Sequence, residues 1–257
     1  MKTRNVAAGF ILITAMLMFD GCYKPWHHVE GNMDVETEIR DFPPFERVFN
    51  EGNFDVYIIQ DGLSEVEIEA ESNLIPLIRT KLEGSALVID TKDDLRNNMP
   101  MKIFVHTDVV NELRLSGSGL LEALELTTDD LEIDLSGSGN MEFSGTSNDV
   151  NCDISGSGSM ELDLTCDHLD ADISGSGDIE AVGTANNGDF TISGSGSIHA
   201  YDLLLQECHA KISGSGNMYL NVDDNLYVNI SGSGNVYYIG DPGLDINISG
   251  SGSVIHP

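Results

Sequence analysis

Carboxylates recur at fixed places around a tetrapeptide, Ser-Gly-Ser-Gly, that is repeated through the second half of this chain. One set stands two positions before the first serine and the other six positions after it: Asp134, Asp153 and Asp172, and Glu142, Glu161 and Glu180. Carboxylates about 5 Å apart repel by roughly 0.8 kcal/mol per pair even in water. Calcium, which takes carboxylate oxygens, would relieve that repulsion, so both sets are candidate sites for weak calcium binding. The alternative is a solvated acidic face that salt screens.

Histidine and tyrosine replace the acids in the later repeats. His199, Tyr219 and Tyr237 stand six positions after the first serine, and His209 and Tyr227 stand four positions before it. Aromatic rings suit the apolar side of a sugar ring, and nearby Asn and Ser side chains could supply hydrogen bonds. These five residues are therefore candidate ligands for a glycan. The alternative is that tyrosine is simply favourable on a half-exposed strand.

The tetrapeptide has a regular period that predicts a solenoid. Its copies begin at Ser116, Ser136, Ser155, Ser174, Ser193, Ser213, Ser231 and Ser249, at intervals of 20, 19, 19, 19, 20, 18 and 18 residues. A flexible linker has no such phase, whereas a fixed period near 20 residues is typical of stacked coils that bury one another's faces.

The residues beside each tetrapeptide alternate between apolar and polar, which indicates strands with one buried face. Stacked coils place equivalent residues about 4.8 Å apart, so each position forms a column along the solenoid. The position just before the tetrapeptide is always aliphatic and predicts a core ladder: Leu115, Leu135, Ile154, Ile173, Ile192, Ile212, Ile230 and Ile248. We therefore predict an all-β fold, a parallel β-helix with about eight regular coils of 18–20 residues over 113–257, with the glycines of the tetrapeptide inward and its serines outward.

Residues 34–112 lack the tetrapeptide but also alternate in the manner of strands, apart from a short helix predicted over 73–81. An open solenoid end exposes unpaired backbone groups and must be covered. We therefore predict that 34–112 is a less regular, β-rich cap on the N-terminal end of the solenoid.

The first residues have the pattern of an export signal. Lys2 and Arg4 precede an uncharged apolar run over 6–19, and Gly21 and Cys22 follow it. A basic start, a short apolar run and a small residue describe a secretory signal peptide, here 1–21. Gly21 before Cys22 resembles a bacterial lipobox, so we expect a lipid on Cys22 and a tether over 22–33. A plain secreted protein and a retained anchor are the alternatives.

Composition excludes several classes of partner. The chain carries 12 Lys and Arg against 43 Asp and Glu, a net charge of -31, and such a surface repels nucleic acid and anionic lipid headgroups. We therefore expect no nucleic-acid partner and membrane contact only through the lipid anchor. The other cysteines, Cys152, Cys166 and Cys208, share no metal-ligand spacing and are expected to be buried free thiols.

The ordered motifs resemble those of a bacterial family, the head GIN domain proteins, which are described as auto-transporter adhesins. The resemblance covers about residues 34–257 and rests on 45–60 (FERVFNEGNFDVYIIQ), 66–75 (VEIEAESNLI) and 113–119 (LRLSGSG) with its later copies. It implies a right-handed β-helix in an exported protein of the cell envelope, often an outer-membrane lipoprotein of a Gram-negative bacterium. No catalytic motif comes with it.

The sequence leaves three functions open. We expect a non-catalytic adhesin or binding module whose partner is a glycan or an envelope protein. The alternative is a structural or assembly module that forms a homodimer through the open edge of the last coil, at 254–257 (VIHP). A polysaccharide-active enzyme is a remote third, because paired carboxylates could act as acid and base. Every coil, however, has 18–20 residues and no long loop to build a cleft.

Overall fold

A computed structural model of the chain describes residues 28–257, which form strands throughout and one 3₁₀ turn, Ile75–Leu77. The predicted signal peptide, Cys22 and residues 22–27 of the predicted tether lie outside the described residues. Within 28–115 the strands are β1 His28–Glu30, β2 Val35–Asp41, β3 Arg47–Asn50, β4 Asp55–Gln60, β5 Glu65–Glu71, β6 Ile78–Glu83, β7 Ala86–Thr91, β8 Asp94–Arg96, β9 Lys102–Thr107 and β10 Glu112–Leu115.

The repeat region, which the structure describes in full, continues with eleven strands. They are β11 Leu120–Thr127, β12 Asp130–Leu135, β13 Asn140–Thr146, β14 Asp149–Ile154, β15 Ser159–Ile173, β16 Asp178–Ile192, β17 Ser197–Ile212, β18 Asn217–Ile230, β19 Asn235–Ile239, β20 Gly243–Ile248 and β21 Val254–Ile255. Of these, β15 to β18 are the longest, at 14–16 residues. Neighbouring coils pair in parallel with equivalent residues in register, as in Leu131 with Val150. The predicted all-β parallel β-solenoid is confirmed.

Seven of the eight residues of the predicted core ladder are fully buried, from Leu115 to Ile230, at 0–1% exposure. The eighth, Ile248, is 40% exposed because no strand of the described residues covers β20 on its outer side. Cys152, Cys166 and Cys208 are buried free thiols in the same core, as expected. Burial raises the pKa of Cys166 to about 12, so this thiol stays protonated and unreactive at neutral pH.

The tetrapeptide brings adjacent coils into direct backbone contact. Its serines are exposed and its glycines are less so, as predicted. The Ser157 amide donates to the Gly137 carbonyl of the preceding coil at 3.1 Å, and a Cβ on Gly156 would overlap that same oxygen. Glycine is therefore required because the backbone of the preceding coil lies directly against it.

Residues 34–112 contribute both to the solenoid and to its closure. β3 and β4 stack in parallel on β10 and β11, and β7 and β9 stack on β3 and β4 in turn. Antiparallel strands complete this end, because β5 pairs with β9, β2 with β5, and β6 with β7. The short helix predicted over 73–81 is wrong for most of its length: only Ile75–Leu77 is helical, as a 3₁₀ turn, and 78–81 belong to the strand β6. His28–Glu30, inside the predicted tether, pairs with β8.

A buried carboxylate ties the segments at this end together. Glu71 accepts backbone N–H groups from Met33 at 2.6 Å and from Asn98 at 2.8 Å. Burial alone would raise the pKa of Glu71, but the hydrogen bonds from Met33, Asn98 and Met99 outweigh it and lower the pKa.

Among the described residues, none of the helical segments has the length and apolar character that a membrane crossing requires.

The tetrapeptide contact predicts that Gly175→Ala destabilises the fold by about 1–3 kcal/mol or more, the usual cost of forced overpacking. The new Cβ would overlap the Gly156 carbonyl oxygen, and a backbone atom cannot rotate away. Ser176→Ala, the matched control, changes an exposed side chain on the same turn and should stay within about 0.5 kcal/mol of wild type. Urea unfolding followed by circular dichroism measures both, and equal midpoints would contradict the contact.

Candidate ligand-binding surface

One column of outward side chains crosses every coil on the strand that follows the tetrapeptide. We name it the Glu–Tyr column. Register pairs place its members in the order Phe104, Tyr57, Glu122, Glu142, Glu161, Glu180, His199, Tyr219, Tyr237 and Ile255. Two aromatic rings begin the column, four glutamates occupy its middle, and three rings follow them. The predicted acids of this position and the predicted rings thus share one continuous surface.

The rings at the late end of the column stack on one another. His199 and Tyr219 have centroids 4.7 Å apart and planes 9° apart, and Tyr219 and Tyr237 are 5.0 Å and 7° apart. Each inner ring therefore covers the face of its neighbour and presents its edge, with the polar atoms it carries, to solvent. A sugar ring has much less exposed aromatic face to stack on than unstacked tyrosines would offer.

Tyr201 joins this cluster and is absent from the sequence-based candidates. Its ring lies edge-on to Tyr219, with centroids 5.5 Å apart and planes at 75°. Burial raises its pKa, with further contributions from Tyr219 and Tyr237. Tyr201 could have been found from the sequence, because it stands two residues after His199 and so faces the same outward side. The register shifts at a bulge between Glu180 and Val182, however, so Tyr201 does not belong to a regular column. We call His199, Tyr201, Tyr219 and Tyr237 the ring cluster.

The glutamates in the middle of the column border a shallow groove of about 310 Å³. Leu124, 48% exposed, overhangs the groove because a bulge between Ala123 and Leu126 turns it outward. Burial raises the pKa of Glu142, and the neighbouring carboxylates Glu161 and Glu122 raise it further. The repulsion predicted from the sequence therefore acts on this carboxylate.

The aspartate set has unequal surroundings. Arg114 donates to Asp134 at 3.0 Å from Nε and also contacts it from Nη2 at 2.9 Å, which neutralises one end of the set. Burial raises the pKa of Asp153, and Asp172 and Asp134 add to that shift. Asp172 Oδ1 is a buried oxygen with no hydrogen-bond partner among the described residues. Arg114 occupies the position before Asp134 in the same column, so it brings a cation next to the first aspartate of the set.

A third column, four positions before the tetrapeptide, holds His209 and Tyr227, whose rings stack with centroids 4.5 Å apart. It also holds Glu112 and Glu132, which come within 4.8 Å of Asp134 through one carboxylate oxygen each. Arg114 and Arg47 contact Glu112 at 2.7 and 3.3 Å. These guanidinium groups offset the repulsion between the carboxylates of this cluster, so a metal ion would add less stabilisation here than the acids alone suggest.

The family follows from a direct match. The model of the family described as "Putative auto-transporter adhesin, head GIN domain" matches residues 44–242. This chain belongs to that family. The resemblance found in the sequence is thereby confirmed, and adhesin-like relatives are consistent with a place in the envelope or outside the cell. No curated protein matches the chain.

Solved structures of similar fold include three from two species of Parabacteroides. One, called a putative lipid binding protein, from Parabacteroides distasonis, is 26% identical with a TM-score of 0.76, covering 90% of this chain and all of that one. A putative adhesin from Parabacteroides merdae is 23% identical with a TM-score of 0.80 over 89% of this chain and 99% of that one. A second putative adhesin from P. distasonis is 24% identical, with the same TM-score and coverage.

The raised carboxylate pKa values predict that mild acid stabilises the fold. Glu142 and Asp153 bind protons more tightly when folded than when unfolded, so stability should rise as the pH falls from about 7 to about 5. Asp61, whose pKa a hydrogen bond with His106 lowers, and Glu71 act oppositely, and their stabilisation is lost below about pH 4. The melting temperature should therefore pass through a maximum between neutral pH and the acid range in which Asp61 and Glu71 become protonated.

A single neutral substitution tests the cause of that maximum. Glu142→Gln should raise the melting temperature at pH 7.5, and its gain should shrink as the pH is lowered, because protonation of Glu142 removes the same charge. Glu51→Gln, on an exposed residue outside the columns, is the control and should not shift the melting temperature. An equal gain for both variants would assign the effect to net charge instead of the column.

Calcium binding along the columns stays a prediction. We expect about 5 mM calcium to raise the melting temperature relative to EDTA, because a divalent cation would offset repulsion between stacked carboxylates. The triple variant Glu142→Gln, Glu161→Gln and Glu180→Gln should lose this increment if the glutamates bind, and Asp134→Asn, Asp153→Asn and Asp172→Asn should lose it if the aspartates do. A melting temperature that is the same in calcium and in EDTA would show that neither set of carboxylates binds calcium.

Proposed function

We propose that this protein is a non-catalytic binding protein of the bacterial cell envelope that presents the ring cluster to a glycan. In this proposal a lipid on Cys22 holds it to the outer membrane and the solenoid acts as a rigid stalk. Membership in a family described as adhesins supports the exported location and the binding role.

The ring cluster is the observation that carries the proposal. Four rings from three successive coils meet at one place, and Tyr201, Tyr219 and Tyr237 are only half buried. Stacking between neighbours holds them in place before any ligand arrives, so little side-chain entropy would be lost on binding. Their edges carry hydroxyl and imidazole groups, which can hydrogen-bond to the hydroxyls of a sugar.

Asparagines flank the rings on the same strands. Asn217 and Asn235 stand two residues before Tyr219 and Tyr237, so they face the same side of the sheet. Asn217 Oδ1 accepts the Asn235 backbone N–H and side-chain amide, each at 3.1 Å, which fixes both side chains. Tyrosine with Asn and Ser is the composition of surfaces that combine rigid contact area with adaptable hydrogen bonding. A polar ligand such as a glycan fits such a surface better than an apolar one.

The absence of catalysis is part of the proposal, and the regularity of the columns supports it. Glycosidases distinguish one acid from one base by their surroundings and separate them by a set distance. Here Glu122, Glu142, Glu161 and Glu180 occupy equivalent positions on successive coils, and the coils from 113 to 257 keep 18–20 residues, which leaves little chain to enclose a substrate.

A structural or assembly role is the second candidate, and one observation favours it. Leu244, Ile246 and Ile248 belong to the apolar row of the core, yet they are 46, 42 and 40% exposed. This role does not exclude glycan binding, because the exposed strand β20 and the ring cluster involve different residues.

A glycan array probed with the chain from residue 23 onward tests the binding role. The variant Tyr219→Ala/Tyr237→Ala should lose more than about tenfold in affinity for any glycan that wild type holds, since it removes two of the four rings. Tyr57→Ala is the matched control, because Tyr57 lies in the same column and stacks on Phe104 at 5.2 Å but lies beyond the glutamates. It should bind as wild type does. An array without signal would contradict glycan binding and favour an envelope protein as the partner. Equal loss of affinity in both variants would show that the ring cluster is not the binding site.

A further inference from the structure

The strand β20 leaves one end of the solenoid uncovered. On one side it pairs with β18, where it buries Leu226, Val228 and Ile230 to 0–3% exposure. On the other side no strand of the described residues pairs with it. Its backbone N–H and C=O groups on that edge and its apolar side chains are therefore both open to solvent, a combination that promotes pairing with another strand.

The other end of the same solenoid shows what closes a coil in this molecule. There β7 and β9 would be similarly open, but antiparallel strands cover them, β6 on β7 and β5 on β9. Ile68 of β5 and Ile78 of β6 bury their side chains against the core at 0 and 1% exposure. An antiparallel strand is thus compatible with the edge of a coil, and it supplies the backbone partners and the apolar cover together.

We propose that β20 is closed by β20 of a second copy of this chain, paired antiparallel across a two-fold axis. The strand complements itself: with Leu244 opposite Ile248 of the partner subunit, Ile246 faces its own equivalent and the apolar row of each copy covers the other. Because side chains alternate with period two, this register keeps all three aliphatic residues of both copies on the core side. A two-fold contact of this kind is closed and gives a dimer, not a filament.

The charge distribution favours a second copy as the occupant. The chain carries a net charge of -31, so two copies repel over most of their surface. Residues 243–257, however, contain one acidic side chain, Asp245, together with His256. Contact through β20 joins the copies end to end at their least charged part, and the glutamates and aspartates of the columns then point away along two separate rods. A basic partner would be drawn to those columns and away from β20.

The mass of the chain from residue 23 onward, measured by light scattering across a concentration series, tests the dimer. Wild type should have twice the mass of one chain at about 50 µM, and more dimer at about 0.5 M salt because repulsion is screened. Ile246→Lys should be a monomer, because it places a charge at the centre of the contact. Ile39→Lys is the matched control, since Ile39 is 59% exposed on β2, and it should remain a dimer. A wild type that stays monomeric at every concentration overturns the proposal, and so does an Ile246→Lys variant that dimerises equally well.

Cysteine cross-linking tests the register separately. In the proposed pairing Asp245 lies directly opposite Asn247 of the other copy, at the Cα distance that a disulfide spans. A mixture of Asp245→Cys and Asn247→Cys chains should form a disulfide-linked dimer on mild oxidation, whereas Asp245→Cys alone should not, because its equivalent is displaced by two residues. Cross-linking by Asp245→Cys alone, or by neither preparation, contradicts this register. Neither experiment depends on the glycan proposal, and the failure of either leaves the array result unaffected.

Discussion

Direct hydrogen bonding between the backbones of adjacent coils at the Ser-Gly-Ser-Gly turn is the constraint on which the structure depends. From the second copy onward, the amide of the second serine donates to a glycine carbonyl of the preceding coil at 2.9–3.2 Å, and no Cβ fits at the neighbouring glycines. Every coil must therefore follow the one before it residue by residue. Insertions are confined to places such as the bulges near Leu124 and Tyr201, where the outward surface departs from strict repetition.

Strict register has an electrostatic consequence on the outside of the solenoid. An acid at one position of a repeat comes to lie beside the acids at the same position in the neighbouring repeats, which raises the pKa values of Glu142 and Asp153. The chain relieves this repulsion in part with Arg114, which lies between Glu112 and Asp134, and in part by replacing the acids with rings in later coils. The same stacking that brings charges together thus also builds the ring cluster.

Register also gives the solenoid two kinds of surface. The sides of the solenoid carry columns, whose repeated side chains suit a ligand that extends along the axis. The ends carry unpaired strand edges, which have to be covered. At the N-terminal end β5 and β6 provide that cover from within the chain, while β20 keeps its apolar row exposed. A binding role for the sides and a self-association role for β20 are therefore compatible in one molecule.

Much of this architecture could be predicted from the sequence, because the period of the tetrapeptide and the alternation beside it are local and repeated. They determine the coils, the buried ladder from Leu115 to Ile230 and the order of the Glu–Tyr column from Glu122 to Tyr237. Contacts between segments that share no period were decided only in the tertiary structure. The strands β3 and β4 lie between the pair β7 and β9 and the pair β10 and β11, which is out of chain order. The spacing of about 4.8 Å between successive coils follows from the fold class, but the side-chain orientations that put His199, Tyr219 and Tyr237 face to face were decided only in the tertiary structure.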